Sequence, residues 1–400
     1  MEISNKFSQI MKEKVFGKQD IFFIIENFNL GKISKQQMSE FLFYVYDNGF
    51  TEKQTFDLTC AMMSDGKKLD LSDFNLSVDK HSTGGVSDST TLIVVPLFAC
   101  LGFSCYKMSG GALGHTGGTA DKLKQFKNIN IQLDTKTALE ITKKYGGCFT
   151  MQTQDFAPID KKIYALRDEI GAVQSIPLIA SSIMSKKLVS GASNIVLDVK
   201  YGSGALIQDK NGAENLAKLM CEIGKLYGKD VCYVLGDMSQ PLGRAIGDKF
   251  EVLEVLNLLT EYKNCNLINH SIHLVCQFAN KIGLSYKTCY EKCEKLIKDG
   301  VVFDKLSHII TAQGGTMPKI EKVENIDGFL ISSNKSGTIT NIQTDKLGAL
   351  FHKYSSELQG GYMLKVIGDK VDKDEPLIKV FAKQLNESFV KQLFEIYDIK

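Results

Sequence analysis

Two glycine-rich runs constrain this chain more than anything else in it. One is Val78-Asp79-Lys80-His81-Ser82-Thr83-Gly84-Gly85, and the other is Lys107-Met108-Ser109-Gly110-Gly111-Ala112-Leu113-Gly114-His115-Thr116-Gly117-Gly118-Thr119. They stand about one βαβ unit apart, a spacing that fits an α/β layer. Paired glycines let the backbone approach a ligand closely and turn its N–H groups inward. Lysine and hydroxyl side chains add the charge and donors that a phosphate needs. Neither run is a nucleotide-binding P-loop, because Gly-x-x-x-x-Gly-Lys-Ser/Thr does not occur. The pattern predicts a site for a small phosphoryl group, down to free phosphate.

Bulk properties narrow the classes. With 400 residues, 44% of them hydrophobic, the chain can bury the cores of two or three domains. A formal net charge of +2 disfavours a general nucleic-acid or membrane-surface binder. The start, Met1-Glu2-Ile3-Ser4-Asn5-Lys6, has no basic stretch feeding an apolar run, so no signal peptide is expected. Nothing approaches the roughly 18 to 20 uninterrupted apolar residues of a membrane span. Ten cysteines are scattered without a Cys-x-x-Cys pair and read as reduced thiols, which predicts a cytoplasmic protein. Cys289 and Cys293 are four apart on a predicted helix, but no histidine lies close enough in sequence to point to zinc. His270 and His273 have the i, i+3 spacing of a shared ligand pair, although an ordinary core or surface role is the better reading.

Arginine usage sharpens the picture. Of 48 basic residues only Arg167 and Arg244 are arginines. An arginine that persists in so lysine-rich a background is expected to be there for its planar fork of donors rather than for charge alone.

The first sixty-odd residues predict helices. Ile21, Ile24, Ile25 and Phe28 share one face, as do Met38, Phe41, Leu42 and Val45 behind the cap Ser34. Thr51-x-x-Gln54 fits a capping box. From about Asp79, glycine-rich loops alternate with apolar runs such as Thr90 to Leu97, the texture of an α/β layer. Residues near 160 to 190 return to helix, Ile195–Val199 and Val231–Leu235 predict strands, and the tail from about Gly328 alternates short β-prone runs with turns.

A third segment identifies the family. Tyr164-Ala165-Leu166-Arg167-Asp168 leads into Ser175-Ile176-Pro177-Leu178-Ile179-Ala180-Ser181-Ser182-Ile183-Met184-Ser185-Lys186-Lys187. With the two glycine-rich runs, in this order and spacing, it resembles the pyrimidine-nucleoside phosphorylase and thymidine phosphorylase family over nearly the whole chain. The resemblance implies an α/β fold: a small all-helical domain hinged to a larger α/β domain with a mixed sheet, plus a small C-terminal α+β unit. The expected segments are 1–66 and 158–191 for the helical domain, 67–157 and 192–327 for the α/β domain, and 328–400 for the β-rich unit. It also implies a homodimer through the helical domain.

The same resemblance implies the site. Lys80, His81, Ser82, Thr91, Lys107, Met108, Ser109 and Thr119 would bind phosphate. Arg167, Ser182 and Lys186 would grip the pyrimidine edge, with His81, Arg167 and Lys186 catalytic. From the residues themselves, Ser182 and Lys186 lie one helical turn apart and share a face, Ser175 is a plausible cap before Pro177, and Asp79 is expected to orient the neighbouring Lys80. The implied reaction is reversible phosphorolysis of uridine, thymidine or deoxyuridine, in which phosphate attacks the anomeric carbon with inversion and leaves a sugar 1-phosphate. Cationic donors at the base carbonyls stabilise the charge that develops as the carbon–nitrogen bond breaks. A potassium ion is implied too, at Ser87, Ser89, Leu242, Ala245 and Glu254. Three positions depart from the family: Gly111 stands where an arginine is usual, Lys124 where a glutamate is usual, and Leu206 where phenylalanine is frequent. A strict thymidine phosphorylase, a phosphoribosyl-anthranilate transferase and a degenerate non-catalytic homologue are the rival readings. The transferase would need an acidic, magnesium-binding pair whose motif is not seen.

Overall fold

The computed structural model describes residues 2–110, 118–151 and 156–400. In chain order the elements are α1 (Glu2–Glu13), α2 (Lys18–Asn29), α3 (Lys35–Asn48), α4 (Glu52–Met62), β1 (Val78–Ser82), α5 (Thr91–Cys100), β2 (Cys105–Ser109), α6 (Thr119–Leu123), α7 (Thr135–Tyr145) and β3 (Gly147–Met151). Then come α8 (Pro158–Glu169), α9 (Ile176–Val189), β4 (Asn194–Tyr201), α10 (Lys210–Leu226), β5 (Asp230–Asp237), β6 (Ala245–Ile246), α11 (Asp248–Thr260), α12 (Asn266–Lys281), α13 (Tyr286–Lys298) and α14 (Val301–Ala312). The tail holds β7 (Phe329–Ser332), β8 (Gly337–Ile342), α15 (Thr344–Lys353), β9 (Leu358–Met363), β10 (Lys370–Val371), β11 (Pro376–Ala382), α16 (Glu387–Phe394) and β12 (Tyr397–Ile399).

Two compact units form. The first gathers Met1–His81, Gln152–Leu197 and Asn211–Cys232. Its helices begin where the sequence says they should. Ser34 Oγ accepts the Gln37 N–H while the Gln37 side chain accepts the Ser34 N–H, and Thr51 and Gln54 repeat the exchange. Ile21, Ile24, Ile25, Met38, Phe41, Leu42 and Val45 are fully buried, and Phe28 is partly buried against them. Ile159, Ile163 and Leu166 of α8 and Leu178 of α9 complete the same core, so the segment near 160 to 190 packs with the N-terminal helices. That packing removes apolar stripes from water and is the main stabilising contribution to helices of this length.

The second unit comprises Ser82–Met151, Asp198–Lys210 and Tyr233–Lys400. The Thr90–Leu97 run becomes α5, whose residues Thr91–Ala99 are all buried despite Pro96 in its interior. A helix apolar on every side is one that is surrounded. β2 and β3 pair in parallel, from Cys105 opposite Gly147 to Ser109 opposite Met151. The tail forms two antiparallel sheets, β6-β9-β11-β7 and β10-β8-β12, over a core that includes Ile339, Ile342, Met363, Ile378 and Phe389. A further sheet has the order β1-β4-β5. The sheets are thus mixed, as expected for this fold class. No helix among the described residues is long and apolar enough to cross a membrane.

Candidate active site

In the first unit, α8 and α9 bring Arg167, Ser182 and Lys186 together around a residue the sequence reading passed over, Asp160. The Lys186 ammonium lies 2.5 Å from Asp160 Oδ2 and donates to Ser182 Oγ at 3.0 Å. Ser182 and Asp160 are buried, and Asp160 Oδ1 has no hydrogen-bond partner. The i, i+4 spacing on α9 is what sets Ser182 under Lys186. Asp160 sits seven residues before Arg167, two turns along one face of α8, and that spacing was a readable signal. It also occupies the first turn of α8, where the helix dipole favours a carboxylate.

Arg167 is 2% exposed, and all three of its nitrogens donate to backbone carbonyls. Nε reaches Ala172 O at 3.1 Å, Nη1 reaches Leu178 O at 3.0 Å and Nη2 reaches Val173 O at 2.7 Å. The planar fork therefore fastens the turn that carries the chain from α8 into α9, taking three of the five N–H groups a guanidinium offers. Burial lowers its pKa, while Asp160 opposes that shift. Ser175 stands at the N-cap of α9 and Pro177 in its first turn, as expected, but the Ser175 hydroxyl makes no capping bond and is buried without a partner.

Asp79 departs from expectation. Its carboxylate pairs with Lys187 at 2.8 Å, not with its neighbour Lys80. Adjacent residues of a strand point to opposite faces, so Asp79 turns towards α9 and cannot share a side with Lys80. Lys80 is fully buried on β1, with His81 following.

In the second unit, Ser82 ends β1 and Ser109 ends β2. The Ser82 hydroxyl donates to Asp88 Oδ2 at 2.5 Å and accepts the Gly84 N–H at 3.1 Å. Gly84 has φ of 86°, a conformation that makes glycine the natural residue there. Asp88 also accepts from Thr90 Oγ1 at 2.6 Å, just before Thr91 at the first turn of α5. Lys107 is buried with its ammonium on Met108 O at 2.9 Å, and the buried Ser109 hydroxyl has no hydrogen-bond partner. Thr119 opens α6. Gly111 lies outside the described residues. Lys124 is exposed and pairs with Asp121 at 2.8 Å. Leu206 precedes Ile207, which bridges to Tyr201.

Behind this loop lies a charged network that sequence reasoning missed. Asp198 and Lys200, two apart on β4 and so on one face, are both fully buried, with 2.7 Å between Lys200 Nζ and Asp198 Oδ1. His270 Nε2 lies 2.7 Å from the same oxygen, and Thr83 Oγ1 accepts the Lys200 N–H at 2.8 Å. Two charges in an otherwise apolar strand were the available sign. His273 instead contacts Tyr286, so the two histidines do not converge on a shared metal.

Of the expected cation ligands, Ser87 and Glu254 converge beside Gly243. Glu254 is buried, and its two oxygens accept the N–H groups of Arg244 at 2.7 Å and Ala245 at 3.0 Å. Burial pushes its pKa up to about 7 against those bonds. Ser87 is buried with φ of 59°, and its hydroxyl has no hydrogen-bond partner. A Cβ at Gly243 would collide with both Glu254 Oε2 and Ser87 Oγ. That glycine therefore leaves a small space bounded by two hard oxygen donors, a set suited to an alkali cation. Ser89 donates to Glu251 Oε2 at 3.1 Å, and Glu251 pairs with buried Lys122 at 3.1 Å. A cavity of about 280 Å³ adjoins the cluster, with Leu242, Gly243, Arg244 and Glu254 in its wall. Arg244 also donates to backbone carbonyls, its Nη1 reaching Met363 O at 3.4 Å and Leu364 O at 3.0 Å.

Comparison with known proteins is in line with these features. A family model described as "Glycosyl transferase family, a/b domain" matches residues 75–299. An anthranilate phosphoribosyltransferase structure from Thermus thermophilus has a TM-score of 0.62 at 14% identity, covering 78% of this chain and 99% of that one, a likeness of fold alone. The chain is 36% identical to a pyrimidine-nucleoside phosphorylase of Geobacillus stearothermophilus, covering 94% of this chain and 90% of that protein. It is 35% identical to the Bacillus subtilis (strain 168) pyrimidine-nucleoside phosphorylase, over 95% and 91% of the two chains. On these matches, which run nearly end to end, the chain belongs to the pyrimidine-nucleoside phosphorylase family.

Proposed function

We propose that this protein is a pentosyltransferase that cleaves pyrimidine nucleosides with inorganic phosphate. The observation that most supports this reading is the Asp160–Lys186–Ser182 cluster beside Arg167. An ammonium and a hydroxyl one turn apart can address adjacent carbonyl and N–H groups of a single-ring base. Lys80, His81, Ser82, Thr91, Lys107, Met108, Ser109 and Thr119 hold phosphate in this reading. Hydroxyls at strand ends and at the first turn of α5 are a setting in which anions bind readily. Phosphate oxygen bonds to the anomeric carbon as the carbon–nitrogen bond breaks, and the electron pair passes to the base. Lys186 and Arg167 stabilise it at one carbonyl and His81 at the other, more strongly in the transition state than before it.

Ser87, Ser89, Leu242, Ala245 and Glu254 would hold potassium, whose charge would offset that of buried Glu254 and stiffen the loop after Ser82. Phe43 and Tyr46 are exposed on α3 and offer an apolar face for a homodimer through the helical unit. None of the ten cysteines is in a disulfide, in keeping with a cytoplasmic setting.

Uridine, thymidine and deoxyuridine are expected to be cleaved and inosine is not, because the cluster addresses the edge of one ring. Initial rates of base release from these nucleosides test the reading. Comparable turnover of inosine would sink it.

A further inference from the structure

The packed pair α12 and α13 carries a feature outside this chemistry. Cys276 of α12 and Cys289 and Cys293 of α13 bring three sulfurs within 4.8 Å of one another. Cys289 Sγ and Cys293 Sγ are 3.9 Å apart. The i, i+4 spacing puts the last two on the buried face of α13, and Cys276 and Cys293 are fully buried. In sequence the pair Cys289 and Cys293 has no third ligand nearby. The helix hairpin supplies it from thirteen residues upstream.

We infer that these three thiols form a binding site for a thiophilic metal ion, with zinc(II) as the fitting occupant. Metal–sulfur bonds of about 2.3 Å place thiolates about 3.8 Å apart around a tetrahedral ion and about 4.0 Å apart around a trigonal one. The observed sulfurs need to move only a few tenths of an ångström to about 1 Å to meet either geometry. Metal binding replaces the three S–H protons, which pass to solvent, with three metal–sulfur bonds. Lys292 lies close enough to Cys289 to offset part of the net charge of three thiolates and one divalent ion. Tyr286, at the start of α13 and in contact with His273, lies near the three cysteines. Softness of the donors excludes magnesium, calcium and potassium as occupants.

Cobalt(II) is the probe. The reduced, metal-free full-length protein is titrated with cobalt(II) in a phosphine reductant while absorbance is followed. One equivalent is expected to give thiolate-to-cobalt charge-transfer bands, which zinc(II) abolishes by displacement. Cys276→Val, Cys289→Val and Cys293→Val should each weaken binding at least tenfold. No thiolate band in the parent protein, or a band that survives all three substitutions, would overturn the site. Should a variant fail to fold, X-ray absorption of the zinc-loaded parent decides instead. Three sulfur neighbours support the inference, and one or none refutes it. Phosphorolysis does not enter any of these readouts.

Discussion

At the scale of single residues, the two surviving arginines explain themselves in a way composition only half anticipated. Both donate to backbone carbonyls, and Arg167 does so with its whole planar fork. Arg167→Lys keeps the charge but can reach only one of the three carbonyls of Ala172, Val173 and Leu178, so two charge-assisted bonds are lost even though the Ser175 N–H still serves Val173 O and the Ser181 hydroxyl still serves Leu178 O. At roughly 1.5 to 3 kcal/mol for each bond to a charged group, stability should fall by about 3 to 6 kcal/mol. Because the same turn positions Ser182 and Lys186, kcat/KM for uridine should fall at least about tenfold as well. Chemical denaturation and steady-state kinetics measure both, and an unchanged denaturation midpoint would contradict the clamp. Asp160→Asn makes a separate test. It removes the partner that fixes Lys186, so the uridine KM or kcat should suffer by about tenfold while the phosphate KM stays within about twofold. Equal loss for both substrates would mark Asp160 as merely structural.

At the scale of elements, much was legible. Apolar stripes and capping boxes located α3 and α4, because local hydrogen bonds between residues three apart are written in the sequence. Ser182 and Lys186 were brought together by one helical turn. What could not be read came from contacts between distant segments: Lys187 reaching Asp79, Cys276 joining Cys289 and Cys293, and His270 meeting Asp198. The Asp79 expectation failed because proximity along a strand is not proximity in space. The loop containing Ser87 and Gly243 carries its own prediction. Glu254 is raised by burial from 4.5 to about 7, so its neutral form is favoured in the fold. That stabilisation is present below the unfolded value and is lost as pH rises through about 7, on the order of 3 kcal/mol. A bound potassium ion should restore it, raising Tm more at pH 8 than at pH 6 relative to tetramethylammonium. Gly243→Ala, whose Cβ would fill the space, should abolish the difference. A potassium effect independent of pH, or one that survives Gly243→Ala, would remove Glu254 from the cation site.

At the scale of the whole molecule, buried Lys80 and Lys107 on strands that lead into glycine-rich runs give the proposed reaction its anion-binding charge. In the proposed reaction phosphate, not water, attacks the sugar. Uridine is incubated with the protein in buffers with and without inorganic phosphate. Uracil is followed by absorbance and the sugar product by phosphorus NMR. Uracil and ribose 1-phosphate are expected in equal amounts, with a rate that vanishes when phosphate is withheld. Uracil released equally fast in phosphate-free buffer, with ribose as the product, would contradict it.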